Sequence, residues 1–216
     1  MIKAYYFIQN SSKNLIRTSG IGLSCVLIFI LSFLSFFFLN LSSFLAHCHS
    51  YTINEAMQMG TIGLTEIISP AGMLLTVFKF ISFLIACLFI INTINTIRRL
   101  FFQLANDQRS SFQIMSFIGE TTEWISLEFA LQAVYVSFTL LLFGFFSANL
   151  TFGEFLSDSL AFGSFEGILD SFTIDQRISL LVIILSSSYI GIRVFFFVRK
   201  YLFSFFDNLL AEISFS

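Results

Sequence analysis

The chain alternates between four long apolar stretches and the polar intervals that separate them. The first apolar stretch has no charged residue over the 26 residues from Ile21 to Ala46. At 1.5 Å per residue, an α-helix of that length measures about 39 Å, which exceeds the roughly 30 Å hydrocarbon core of a bilayer. Three further stretches of similar character follow. The pattern predicts an all-α integral membrane protein with four transmembrane helices.

The predicted boundaries divide one membrane domain, residues 1–216, into nine segments. They are an amphipathic segment at 1–19, a first span at 20–46, an outer loop at 47–70, a second span at 71–97, a cytoplasmic loop at 98–126, a third span at 127–150, an outer acidic loop at 151–177, a fourth span at 178–198 and a tail at 199–216. Both terminal segments are predicted to be amphipathic helices that lie along the membrane surface.

Composition agrees with insertion in a membrane. Hydrophobic residues make up 56% of the 216 residues, 32 residues are Phe, the mean hydropathy is +0.88 and 11% of the residues are charged. Soluble domains carry about 25% charged residues. The sequence has no long basic run that would indicate a nucleic-acid partner. Cys25 and Cys87 lie inside apolar runs, where a thiol behaves as a small hydrophobe, so no disulfide framework is indicated.

The distribution of Lys and Arg predicts the orientation. Three basic residues lie in residues 1–19, three in the loop at 98–126 and three near the carboxyl end, which makes nine of the eleven. Lys79 and Arg177 are the other two. Because cytoplasmic loops carry the excess of Lys and Arg, both termini and the central loop should be cytoplasmic.

Motifs for enzyme chemistry are absent from the sequence. It contains no Gly-rich phosphate loop, no HExxH, no CxxC and no GxSxG. His47, Cys48 and His49 offer metal-ligand side chains, but two imidazoles alone cannot complete a four-coordinate site unless a second copy supplies more ligands. We therefore expect no catalytic activity, no bound metal and no cofactor.

The central polar loop contains a compact apolar group, which comprises Phe112, Ile114, Met115, Phe117 and Ile118 and which Gly119 interrupts. A short helix that ends in a turn fits this pattern, because Gly commonly follows the last turn of a helix. Two interpretations stay open. The apolar side chains bury against a protein partner while the flanking charges fix the register, or they rest on lipid headgroups.

Polar residues also gather where the second and third spans meet this loop. They are Asn95, Arg98, Arg99 and Glu128, which we treat as one candidate cluster at the membrane end. An ionisable group is costly there unless it faces protein or water, so Glu128 is either a proton relay or a structural contact.

The order of motifs through this region is distinctive. Asn95, Thr96, Ile97 and Arg98 end the second span, and Arg109, the run QIMSFIG, Thr121 and Glu128 follow. This order resembles the FtsX family of ABC-transporter permeases, in which an N-T-I-R type sequence precedes an R-E-I-x-I-M-x-x-x-G-A-T-like run and a further acid. Four spans with both ends inside and an amphipathic amino-terminal segment are similar as well.

The resemblance implies a subunit of an ABC complex in the bacterial plasma (inner) membrane. Two permease copies, as a homodimer or as a heterodimer with a related permease, would bind a separate FtsE-like ABC ATPase that holds the ATP. The central loop would form a cytoplasmic coupling helix in a groove of that ATPase. The residues expected at this interface are Arg109, Phe112, Ile114, Met115, Ile118, Gly119, Glu120 and Thr121.

The implied function is conformational signalling across the membrane in cell division or cell-wall remodelling, with a cell-wall hydrolase or regulator as an outer-face partner. The chain departs from the family in its first outer region, which is only residues 47–70, and in Glu120 and Phe129, which replace small residues. Two alternatives therefore remain: an exporter subunit for a peptide, lipid or toxic compound, and a structural subunit that transports nothing.

The predicted topology can be tested with single cysteines in a background that lacks Cys25, Cys48 and Cys87. A membrane-impermeant thiol reagent applied to intact cells should label a cysteine at position 157 and spare one at position 110, since Ser157 lies in a predicted outer loop and Ser110 in the cytoplasmic one. The reverse labelling pattern would refute the orientation.

Overall fold

The computed structural model describes residues 21–58, 70–160, 172 and 176–214. Its secondary-structure elements are all helices: α1 (Ile21–Gln58), α2 (Pro70–Asp107), α3 (Arg109–Phe117), α4 (Thr122–Leu160) and α5 (Gln176–Ser214). The amphipathic segment predicted at residues 1–19 lies outside the described residues. The outer acidic loop predicted at 151–177 is described only in part.

Four of these helices are long and apolar enough to cross a bilayer. Their candidate spans are Ile21–Tyr51, Gly72–Asp107, Thr122–Asp158 and Gln176–Ser204. The predicted fold class is confirmed: this is a four-span helical membrane protein.

The helices are longer than the predicted spans. Residues 47–58, assigned to a loop, continue α1, and residues 98–107 continue α2. Helix α4 begins at Thr122 and extends into the predicted acidic loop to Leu160, while α5 runs on through most of the predicted tail. Hydropathy marks where a chain leaves the lipid. A helix ends where residues such as Pro or Gly interrupt its backbone hydrogen bonding. These extensions contain no Pro or Gly except Gly153, so nothing in them stops the helix.

The chain divides into two compact units. Within the described residues, the first comprises 21–28, 93–140 and 182–214, and it contains α3. The second comprises 29–58, 70–92, 141–160, 172 and 176–181.

In the second unit, polar and aromatic side chains join α1 to α4. The Asn40 side-chain amide donates a hydrogen bond to Asn149 Oδ1 at 2.7 Å, and the Phe36 and Phe145 rings meet edge to face at 5.5 Å. Lipid tails are as apolar as the core, so helices in a membrane associate through close packing and such hydrogen bonds, each worth about 0.6 kcal/mol on average.

Gly144 permits a close approach between these two helices. A Cβ atom on Gly144 would lie 2.6 Å from Ser32 Cβ and 3.1 Å from the Phe33 backbone nitrogen. A glycine also lies at a close helix contact in the first unit, where a Cβ on Gly191 of α5 would clash with Val134 of α4. Small residues thus set the helix spacing in each unit.

We expect Gly144→Ala to destabilise the protein, because the added methyl group forces Ser32 and the α1 backbone away. Overpacking of this kind costs about 1–3 kcal/mol. Gly153→Ala, on the same helix, is the matched control: nothing lies within 4 Å of its Cβ position. The control should melt at or slightly above the wild-type temperature, since Ala is the better helix former. Thermal unfolding in detergent measures both, and equal melting temperatures would contradict the packing argument.

Candidate functional site

Helix α3 follows α2 almost without interruption. Gln108 alone separates them, and its backbone continues the hydrogen bonding: its N–H donates to the Leu104 carbonyl at 3.0 Å, and its carbonyl accepts from the Phe112 N–H at 3.1 Å. Gln108 forms no side-chain cap on α3. The start of α3 is therefore held by the end of α2 rather than by a capping side chain.

Phe112 anchors α3 on the helices beneath it. Its side chain is 4% exposed, and its ring meets that of Phe129 on α4 edge to face at 5.4 Å. Phe129 in turn contacts Phe101 on α2 at 6.2 Å, in the same edge-to-face geometry. One aromatic chain thus links α3 to both neighbouring long helices.

The opposite side of α3 and its last turn expose apolar side chains. Ile114 is 59% exposed, Phe117 72% and Ile118 78%. Their spacing of i, i+3 and i+4 places them on one helix face. We call these three residues the docking face. Met115 is half-buried and does not belong to it.

The turn after α3 has defined geometry. The Glu120 N–H donates to the Met115 carbonyl at 3.2 Å, and the Gly119 N–H donates to the Ser116 carbonyl at 3.1 Å. This pair of bonds is the Schellman motif, which requires a left-handed residue between helix and exit. Gly119 supplies it, with φ of 98°. The predicted stop at Gly119 is confirmed.

Thr121 is the N-terminal capping residue of α4, directly after this turn. Its carbonyl accepts hydrogen bonds from the N–H groups of Trp124 at 3.0 Å and Ile125 at 3.1 Å, and its hydroxyl is 3.4 Å from the Trp124 nitrogen. Thr is a favoured residue at this capping position. The exit from α3 and the entry to α4 are therefore fixed within three residues.

Two contacts connect this region to α5. The Arg199 guanidinium donates to Glu123 Oε1 at 3.1 Å, and the Arg109 guanidinium lies over the Tyr201 ring, 5.2 Å from its centroid. Both partners on α5 fall within three residues of each other. Arg109 at the start of α3 and Glu123 shortly after its end thus contact the same part of α5.

The candidate cluster at the membrane end is not one bonded group. Among the described residues, no hydrogen bond or ion pair joins Glu128 to Asn95, Arg98 or Arg99. Arg98 instead lies over the Phe102 ring at 5.9 Å. A proton relay through Glu128 finds no bonded partner in this part of the chain.

The histidine pair lies near the end of α1. The His47 ring is 5.4 Å from the Phe172 ring, and the described residues include no group of three or more His, Cys, Asp or Glu side chains placed to hold a metal. The expectation that metal is not needed stays a prediction.

Comparison with family models, curated proteins and solved structures gives no match to this chain.

The assignment of residues to an ATPase interface from the sequence stays a prediction. It includes Phe112, which is buried within the chain, and omits Phe117, which is exposed together with Ile114 and Ile118. The spacing of Ile114, Phe117 and Ile118 was a signal for this exposed face. The contacts of Glu123 and Arg109 with α5 join residues 76 and 92 positions apart, and no local pattern predicts such pairs.

Different substitutions at Gly119 should destabilise the turn to different extents. Gly119→Ala should loosen the turn, because a left-handed conformation costs an L-residue about 1–2 kcal/mol while its Cβ position is sterically open. Gly119→Asn should cost less, since Asn adopts this conformation more readily. Hydrogen exchange at the Gly119 and Glu120 amides reports the opening. Equal exchange in the Ala and Asn variants would contradict the conformational explanation.

Proposed function

We propose that this chain is an FtsX-like permease subunit whose helix α3 couples it to a separate FtsE-like ATPase. The observation that carries the proposal is the docking face. It presents three large apolar side chains to the outside on a helix that is anchored from behind by Phe112. Exposed apolar groups rimmed by polar residues are typical of protein interaction sites.

Charge favours a protein partner over a lipid surface. Helices that lie on membranes carry many Lys and Arg residues on their polar face. Helix α3 has the sequence RSSFQIMSF, with Arg109 as its one basic residue. Asp107, Glu120 and Glu123 flank it, all exposed. Anionic headgroups repel such a surface, whereas a protein groove with basic rims attracts it.

The anchoring supports transmission of movement. A displacement of α3 reaches α4 and α2 through Phe112, Phe129 and Phe101. Closure of the ATPase around ATP would then move spanning helices rather than a loose loop. In this scheme the permease signals across the membrane, in cell division or cell-wall remodelling, and its termini are cytoplasmic.

The outer face favours a second candidate. Helix α1 ends at Gln58 and α2 begins at Pro70, so eleven residues connect them. FtsX-like proteins that grip a hydrolase use a sizeable domain at this point, and eleven residues cannot form one. An exporter subunit for a peptide, lipid or toxic compound needs no such domain, and the same coupling helix would serve it.

The docking face can be tested by placing a carboxylate on it. Phe117→Asp and Ile118→Asp should accumulate normally, because both side chains are exposed, yet should lose copurifying ATPase by about tenfold or more, since burying an unpaired carboxylate costs several kcal/mol. The measurement is nucleotide hydrolysis, with identification of the Walker-type subunit, in detergent extracts at equal expression.

Ser110→Asp is the control, since Ser110 is an exposed residue of α3 outside the docking face. It should retain the ATPase. Retention by all three variants would remove the docking face from the mechanism. A wild-type protein that copurifies no ATPase would instead favour a structural subunit.

A further inference from the structure

An arginine lies on the outward surface of a spanning helix, among apolar neighbours. Arg193 is exposed on α5, and Leu185, Ile192 and Phe196 on the same helix are each more than half exposed. All four belong to the candidate span Gln176–Ser204. In a membrane this surface faces lipid tails, where a lone guanidinium is unfavourable.

Helix length places Arg193 inside the bilayer boundary. Fifteen uncharged residues separate Arg177 from Arg193, which correspond to about 22 Å of helix and fall short of the roughly 30 Å hydrocarbon core. Arg199, six residues later, brings the distance to about 31 Å and pairs with Glu123. Arg199 therefore suits the boundary, and Arg193 lies about two turns short of it.

Arg193 lacks a counter-charge in the part of the chain that the structure describes. Its Nε donates a hydrogen bond to the Tyr189 hydroxyl at 3.1 Å, and its guanidinium lies 5.6 Å from the Tyr189 ring centroid. A phenol orients the guanidinium but does not neutralise it. The other N–H donors of the planar fork remain available to a ligand.

A second arginine, Arg98 on α2, lies close to the same part of α5. Its side chain is fixed over Phe102, whose ring stacks on Phe197 of α5 with centroids 4.1 Å apart. Arg98 Nε is buried and has no hydrogen-bond partner among the described residues. Two guanidinium groups thus lie near the same part of α5. Among the described residues, no hydrogen bond or ion pair joins either of them to a carboxylate.

We propose that Arg98, Tyr189 and Arg193 bind the phosphate of an anionic phospholipid. Guanidinium forks match phosphate oxygens in geometry and form charge-assisted hydrogen bonds with them. Its single negative charge offsets one of the two positive charges, and its oxygens accept hydrogen bonds from both guanidinium groups. The apolar residues around Arg193 contact the acyl chains, which favours a lipid over a dissolved anion. This site lies within the spans, away from the docking face, and does not depend on the proposed coupling to an ATPase.

The test uses the full chain purified in detergent, with phosphatidylglycerol as the probe and native mass spectrometry as the readout. The wild-type chain should retain one phosphatidylglycerol in preference to phosphatidylcholine. Arg193→Gln should weaken this binding by about tenfold or more, since it removes a charge-assisted pair. Arg193 is exposed, so the variant should fold, and its melting temperature checks this. Arg193→Lys keeps the positive charge but lacks the planar guanidinium, and this variant should bind phosphatidylglycerol with intermediate strength.

Arg99→Gln is the matched control, because Arg99 is an exposed neighbour of Arg98 and its loss changes the net charge equally. It should bind the lipid as the wild type does. Equal weakening by Arg99→Gln would show a diffuse charge effect and overturn the site. Displacement of the lipid by millimolar inorganic phosphate would reassign the site to a dissolved anion, and absence of bound phosphatidylglycerol on the wild type would refute the proposal outright.

Discussion

Every buried or lipid-facing backbone group in a membrane must find its hydrogen-bond partner within the protein, and this constraint governs the whole chain. It keeps the membrane-spanning parts of α1, α2, α4 and α5 helical. Each helix then continues to 38 or 39 residues, past the end of its apolar segment, because no residue there stops it. Lipid, unlike water, provides no hydrophobic driving force between the helices. Their association then depends on close packing, and Gly144 and Gly191 lie where an added Cβ would clash with the facing helix.

The run of helices is interrupted at the end of α3, and local backbone hydrogen bonds form the turn that follows it. The Schellman motif at Gly119 and the capping position of Thr121 satisfy the backbone groups that two helix ends would otherwise leave open. Hydrogen bonds therefore fix the exit from α3 and the entry to α4 within three residues. The docking face is therefore presented in one orientation, which lowers the entropy cost of binding a partner.

The sequence was a good guide wherever a short pattern determines the structure. Apolar runs of bilayer length predicted four spans, and Gly119 predicted the end of α3. Helix ends were predicted poorly, because charged residues such as Glu55 and Arg98 leave the membrane but remain good helix formers. The role of Phe112 could not be read from its spacing. Whether an apolar side chain faces its own chain or a partner depends on Phe129 and Phe101, whose positions relative to α3 are set by the fold.

The contacts around α3 differ in strength, and the difference determines how a force on it is carried. The exposed pair Arg199–Glu123 contributes about 0–1 kcal/mol, and a cation over an aromatic ring at an exposed site adds about 0.5–1 kcal/mol. Removing a buried Phe such as Phe112 typically costs about 3–5 kcal/mol. The stiff connection therefore runs from Phe112 to α4 and α2, while the link to α5 through Arg109 and Glu123 gives way first. Movement of α3 would then displace α2 and α4 together, and α5 would follow them through the Phe102–Phe197 stack and the close packing of Gly191 on Val134.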